Sequence, residues 1–154
     1  MKKFLLAAVL SIIPIGAAPI WAQQMMSANT MLVVTPQQEI SSKHVEEGQR
    51  VAFQTVNDVV EGGKVVIPRG SPVEGTITWK TGRAVGGKSG KFEVTFNSVQ
   101  VLGKAYALTG KHRQEGRGNS VGALLGSMVI SGRSAVMLPG ELVNVFTAAP
   151  IPYF

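Results

Sequence analysis

The sequence predicts an all-β protein, a small antiparallel β-barrel or sandwich. Short runs of β-branched and aromatic residues recur along the chain, and within them apolar residues alternate with polar ones. Glycine and proline separate the runs at short intervals, which is typical of tight turns between neighbouring strands. The exception is the Gly-rich stretch from Gly116 to Gly132, which we expect to be one short helical or loop insertion.

Three segments carry the alternation most clearly. In each of them a spacing of two residues puts one set of side chains on one side of a strand. These sets are Val51, Phe53 and Thr55; Val73, Gly75, Ile77 and Trp79; and Phe92, Val94 and Phe96. Shorter strands are predicted at 31–35, 64–67, 105–109, 135–138 and 142–146. We expect the three sets to face a common core.

The N-terminus has the residue order of a secretory signal peptide. Met1-Lys2-Lys3 is cationic, and Phe4–Ile15 is mostly apolar. The small residues 16–18 follow, and Ile20-Trp21-Ala22 ends in a small residue. The apolar run is shorter than the ~20 residues that a membrane-spanning helix needs. A retained membrane anchor is the alternative. We interpret residues 1–22 as a signal peptide cleaved after Ala22, and predict a periplasmic protein, free or associated with the outer membrane.

The rest of the chain has the size of one domain. Residues 23–30 are polar and without period, so we expect a flexible leader, followed by a single β domain at 31–148 and a C-terminal tail at 149–154. Without Lys2 and Lys3, 13 Lys and Arg face 9 Asp and Glu, and the net charge of 13 − 9 = +4 only weakly favours polyanionic partners. The chain has no cysteine, which excludes disulfides, thiol catalysis and zinc–sulfur sites.

No arrangement of residues predicts catalysis. His44 and His112 are the only histidines and are far apart in the sequence, and Asp58 is the only aspartate. His44 could bind a metal ion together with Glu46 or Glu47, but a solvated histidine is much the commoner case. We therefore expect a non-enzymatic protein without metal or cofactor. Nucleic acid is not an expected partner, because basic and aromatic residues are not interleaved.

Gly82–Ser89 matches the phosphate-loop pattern G-x-x-x-x-G-K-[ST] letter for letter. Such a loop binds phosphate through backbone amides and the N-terminus of a helix that starts at its Lys-Ser pair. Here the residues after Ser89 alternate as in a strand. We predict a hairpin loop that binds no nucleotide.

Two sets of residues are candidate contact surfaces. Glycines that recur every four residues in the Gly-rich stretch would share one helical face, where another backbone could approach closely; they are Gly118, Gly122 and Gly126. The alternative is a Gly-rich connection that covers one barrel opening. Basic residues gather in two places, and on one rim of the barrel they could bind lipopolysaccharide or peptidoglycan; they are Lys80, Arg83, Lys88, Lys91, Lys111, Arg113 and Arg117. Otherwise these charges keep the protein soluble.

Glu47–Val59 and Lys64–Gly75, with the turn Val66-Ile-Pro-Arg-Gly-Ser71 and the later Pro139-Gly140, resemble a known family. The resemblance is to the C-terminal β-barrel domain of TrbI-like conjugation proteins, which help form the outer-membrane core of type IV secretion channels. Those proteins also carry an inner-membrane helix and a two-helix projection. Gly116–Gly132 stands at the place of the projection and is too short for two such helices. The resemblance therefore implies a stand-alone, truncated relative of the barrel.

These observations predict an assembly or scaffold component of the cell envelope, in a complex of the secretion or conjugation type. Its partners would be envelope proteins or further copies of the chain. The alternative is a periplasmic binding module for a polyanionic or polysaccharide ligand, held at a barrel mouth near Trp79 and Tyr106.

Overall fold

A computed structural model describes residues 23–82, 88–116 and 133–154, and in this part of the chain the secondary structure is all β. The all-β prediction is confirmed. The Gly-rich insertion falls mostly outside these residues. The strands are β1 (Gln24–Met26), β2 (Met31–Pro36), β3 (Ile40–Ser41), β4 (Arg50–Thr55), β5 (Val59–Glu61), β6 (Lys64–Ile67), β7 (Pro72–Thr81), β8 (Lys91–Val101), β9 (Lys104–Thr109), β10 (Lys111–Glu115), β11 (Val136–Met137), β12 (Val143–Thr147) and β13 (Ile151–Tyr153).

The main sheet closes on itself. Its strands follow the order β10-β8-β7-β4-β2-β12-β9, and β9 also pairs with β8. The ring β8-β7-β4-β2-β12-β9 is therefore a six-stranded barrel in which every pair is antiparallel. Strands β9 and β10 both pair with one edge of β8, β9 with its C-terminal part and β10 with its N-terminal part. Closure leaves few unpaired backbone groups, which protects such sheets against edge-to-edge aggregation.

The predicted alternation becomes the core of the barrel. Strand β4 is buried at every second residue, and β8 buries Phe92, Val94 and Phe96. The rings of Phe53 and Phe96 meet edge to face with their centroids 4.9 Å apart. Gly75 lies directly beside them: a Cβ atom there would come within 2.7 Å of a Val94 methyl carbon and 3.3 Å of the Phe53 ring. The strand therefore needs glycine at this point, because the core leaves no room for a side chain.

Both chain ends of the domain are part of the fold, which corrects the expected leader and tail. Strand β1, within the predicted flexible leader, pairs with β13, within the predicted tail. Met26 and Ile151 lie opposite each other in this pair and are both buried in the core. Strands of three residues show too little periodicity to be recognised locally. This pair forms only because the fold brings the two ends together.

The antiparallel registers define two ends of the barrel. At one of them, which we call the loop end, Thr81, Lys91 and Glu115 lie in register on three adjacent strands. At the opposite end β8 turns into β9, and β2 begins. The same end carries two small sheets, β1–β13 and the hairpin β5–β6, the second of which connects β4 to β7. We call it the apolar end, for the side chains described below.

Candidate functional site

Predicted polyanion contacts fall in or beside segments 83–87 and 117–132 of the sequence, and the strands that flank these two segments meet at the loop end. The Gly116 amide donates a hydrogen bond to the Gly90 carbonyl oxygen at 3.0 Å, and the Gly90 amide donates one to the Arg133 carbonyl oxygen at 3.1 Å. The flanks of segments 83–87 and 117–132 are thus neighbours, as a shared rim requires. A cleft of about 260 Å³ opens beside them, lined by Ser42, Lys43, Lys80, Gly82 and Ser134.

The predicted polyanion contacts do not all lie on this rim. Lys80, Lys88 and Lys91 belong to the loop end, whereas Lys111 and Arg113 project from the outer wall of the barrel on β10. The remaining members of the set and the glycine face lie outside the described residues: Arg83, Arg117, Gly118, Gly122 and Gly126.

Three lysines of the set are paired with glutamates. The N···O distances are 2.9 Å for Lys80–Glu46, 2.9 Å for Lys91–Glu115 and 3.3 Å for Lys111–Glu93. Hydrogen bonds from Lys111 and then Thr78 hold the pKa of Glu93 below its usual range. Exposed pairs of this kind contribute at most about 1 kcal/mol each to stability. They nevertheless offset part of the positive field that a polyanion would meet.

A β-bulge moves Trp79 to the opposite face of the sheet from the predicted one. Ile77 lies opposite Val94 on β8 and is fully buried, yet Trp79 lies opposite Glu93, the neighbouring residue. Two residues of β7 thus match one step of β8, and the extra residue reverses the side on which the strand's next side chain projects. The indole lies half-buried on the outer wall, where the Arg113 guanidinium carbon stands 4.3 Å from its ring centroid. Strict alternation could not reveal this.

Trp79 and Tyr106 do not share a barrel mouth, which overturns the predicted ligand position. Tyr106 pairs with Val99 and packs against the core, whereas Trp79 pairs with Glu93 and faces outward. Glu93 and Val99, the partners of these two residues, are six positions apart on β8, which is about 20 Å along a strand. The two aromatic side chains therefore cannot hold one small ligand between them.

The phosphate-loop pattern is followed by a strand, as predicted. Residues 83–87 fall outside the described part, but β8 begins at Lys91, where a nucleotide-binding loop would continue into a helix. Among the described residues no three of the side chains His, Asp and Glu come together as a metal-binding group. His44 therefore has no such set around it in this part of the chain.

Exposed apolar side chains concentrate at the end of the barrel opposite the loop end. Seven of the nine large apolar residues exposed in the described part belong there: Met25, Met31, Val60, Val65, Leu102, Phe146 and Phe154. Met31 and Phe146 are opposite each other on β2 and β12. Val60 and Val65 are opposite each other in the β5–β6 hairpin. Gly62, at the tip of that hairpin, lies against the Tyr153 hydroxyl. The small sheets are thus in contact, and together these residues form an apolar end.

Leu102 is the most exposed of these residues, at 94 %. It occupies the first central position of the two-residue turn between β8 and β9, with φ of +49°, and Gly103 follows with φ of +77°. Positive φ at both positions defines a type I′ turn, in which Asn-Gly is the preferred pair. The β5–β6 hairpin meets the same demand with Gly62 and Gly63, at φ of +55° and +78°. Leucine is unfavourable at this position because of the backbone conformation and because of the solvent exposure of its side chain. A local structural role therefore does not explain the presence of leucine here.

The sequence contained one signal for this surface, since Leu-Gly is an unusual pair for a hairpin turn. The other exposed apolar residues could not be told from core residues without knowing which strands pair.

In residues 23–82, 88–116 and 133–154 there is no helix of the length and apolarity needed to cross a membrane. Comparisons with protein-family models and with curated proteins found no match for this chain. The resemblance to TrbI-like proteins therefore rests on the residues quoted above.

Proposed function

We propose that this protein is a non-enzymatic, exported envelope protein that acts as an assembly or scaffold component through its apolar end. The observation that carries the proposal is the concentration of exposed apolar side chains there, from Met25 to Phe154. Apolar patches on soluble proteins mark contact surfaces, because water contact with them is unfavourable. The signal-peptide pattern of residues 1–22 supports export.

The type of complex is inferred from the family resemblance. A closed antiparallel barrel whose Pro68-Arg69-Gly70 turn leads into β7 is compatible with a stand-alone relative of the TrbI-like barrel domain. A secretion or conjugation complex is the assembly that this relationship favours. The partners would be other envelope proteins or further copies of the chain.

The test of the assembly role is chemical crosslinking in intact cells that express the untagged chain. The C-terminal Phe154 belongs to the apolar end, so a C-terminal tag would obstruct the surface under study. Val60→Thr and Leu102→Asn should reduce the crosslinked species, while Leu142→Asn serves as control because Leu142 is also exposed but lies outside the apolar end. Crosslinks that persist in both test variants would contradict the proposal.

Export is tested separately on the same material. Cell fractionation followed by intact-mass measurement should find the chain in the envelope, beginning at Gln23. A protein found in the cytosol with residues 1–22 still attached would refute export while leaving the contact surface open to the crosslinking test.

A further inference from the structure

We propose that Arg113 and Trp79 form a binding site for an anionic sugar, a saccharide that carries a phosphate or carboxylate group. The site lies on the outer wall of the barrel, formed by β7, β8 and β10, and is separate from the apolar end. The inference is therefore independent of the assembly role.

The first observation is the β-bulge in β7. Without the bulge at Ile77–Trp79, the indole would follow Ile77 into the core. With it, Trp79, Glu93 and Arg113 form one row across three strands on the outer wall. Bulges recur next to functional sites because they redirect a side chain at small cost to the rest of the sheet. Here the redirected side chain is the single tryptophan of the described residues.

The second observation is the position of Arg113. Its guanidinium carbon lies 4.3 Å from the centre of the indole ring, within the range of a cation–π contact. A guanidinium that stacks parallel to an aromatic ring keeps its N–H groups at the edge of its plane, where a ligand can reach them. Two of these groups can donate parallel hydrogen bonds to one phosphate or carboxylate.

The third observation is that no carboxylate of the described residues forms an ion pair with Arg113, although its charge helps to lower the pKa of the neighbouring Glu93. All nine acidic residues of the chain lie in the described part. None of their carboxylates comes within the 4.0 Å of Arg113 that defines an ion pair, and Glu93, the nearest in register, is paired with Lys111. Arg113 is therefore an exposed cation beside an indole ring, and no ion pair occupies its guanidinium.

The surrounding side chains suit a sugar better than a bare anion. The Thr78 hydroxyl lies 3.1 Å from both a Glu93 carboxylate oxygen and the Thr95 hydroxyl. Thr78 precedes Trp79 in the chain, and Glu93 lies between Trp79 and Arg113 in the row. Hydroxyl and carboxylate groups beside an aromatic ring can exchange hydrogen bonds with the hydroxyls of a pyranose. The apolar C–H face of such a ring can pack on the exposed part of the indole.

The experiment uses the fluorescence of Trp79 in the full chain with Trp21→Phe, which leaves one tryptophan. The probes are glucose 6-phosphate, glucuronate, glucose and inorganic phosphate, all at one ionic strength. We expect saturable changes with the two anionic sugars and none with glucose. Inorganic phosphate should bind more weakly, because it lacks the sugar contacts.

Three variants separate this site from general surface charge. Arg113→Gln should weaken binding about tenfold or more, the usual effect of losing a hydrogen bond to a charged group. Arg113→Lys should also weaken it, because lysine keeps the charge but loses the paired donors. Glu93→Gln should tighten binding by removing the carboxylate nearest the anion. Lys64→Gln, at the other end of the barrel, is the control and should bind like the parent.

Equal responses of the parent and Arg113→Gln would overturn the site. Equal affinities for inorganic phosphate and glucose 6-phosphate would overturn the assignment of a sugar. Both outcomes leave the crosslinking behaviour of the apolar end unaffected.

Discussion

Replacement of Leu102 by asparagine should make the protein more stable and less able to associate. Leu102 occupies a left-handed backbone conformation that asparagine adopts far more readily. The substitution creates the Asn-Gly pair preferred in type I′ turns without altering the turn length. It also removes the most exposed apolar side chain of the apolar end.

The size of the effect follows from two terms. The left-handed conformation costs a non-glycine residue roughly 1–2 kcal/mol, and asparagine recovers much of this. The opposing term is the burial energy that the leucine side chain loses, and it is small. Full burial of a leucine is worth about 2 kcal/mol, and because this side chain is 94 % exposed, its removal costs only roughly 0.1 kcal/mol. The net expectation is a gain of about 1 kcal/mol in the free energy of unfolding, or about 3–5 °C in Tm for a domain of this size.

The assay is thermal and urea unfolding followed by circular dichroism, paired with sedimentation velocity and crosslinking. Leu102→Gly should also relieve the turn, although it makes the unfolded chain more flexible and so gains less. Leu142→Asn is the matched control: Leu142 is exposed but has no positive φ, and no gain in stability is expected.

A loss of stability in Leu102→Asn would refute the reasoning, because it would mean that the leucine supports the isolated fold. Unchanged association would show that the residue is not a contact. The combination of higher stability and weaker association is what a residue retained for binding should show.

Four further perturbations test the fold and the expected contacts. Gly75→Ala should lower the free energy of unfolding by about 1–3 kcal/mol through overpacking, while Gly82→Ala, whose added methyl group meets no described atom within 4 Å, should not. Met26→Ala should lower the free energy of unfolding by about 2–5 kcal/mol, and Met25→Ala should lower it much less, because Met26 is buried and Met25 is exposed. Equal effects of the two substitutions would mean that β1 does not join the core. Because the folded-state pKa of Glu93 is lowered, its contribution to stability is present above the usual glutamate pKa and is lost as the pH falls through the lowered value. Glu93→Gln should thus flatten the acid side of a stability–pH curve, and a curve as steep as that of the parent would contradict this. Gly122→Leu should disturb assembly if the glycine face packs against a partner, and an unchanged crosslinking pattern would favour a passive connection.

Local pattern was sufficient for the strands whose two faces differ. Val51, Phe53 and Thr55 alternate with polar residues, and so do Phe92, Val94 and Phe96, so strand type and buried face followed from the sequence. Proline and glycine marked most of the turns between them. The sequence also showed where basic residues gather. It did not show which of those lysines form ion pairs with glutamates.

The tertiary structure decided whatever depends on pairing between distant residues. The sequence by itself determined an all-β chain with a buried, alternating core, because each strand carries that signal within its own few residues. The bulge that turns Trp79 outward is set by the register of β7 against β8. The pairing of β1 with β13 joins residues at opposite ends of the domain. The contact of β9 with β8 closes the barrel. Periodicity reports only which residues along one strand share a face. Whether a side chain points into or out of the barrel, and which residues of other strands lie beside it, depend on the strand registers that the whole barrel imposes.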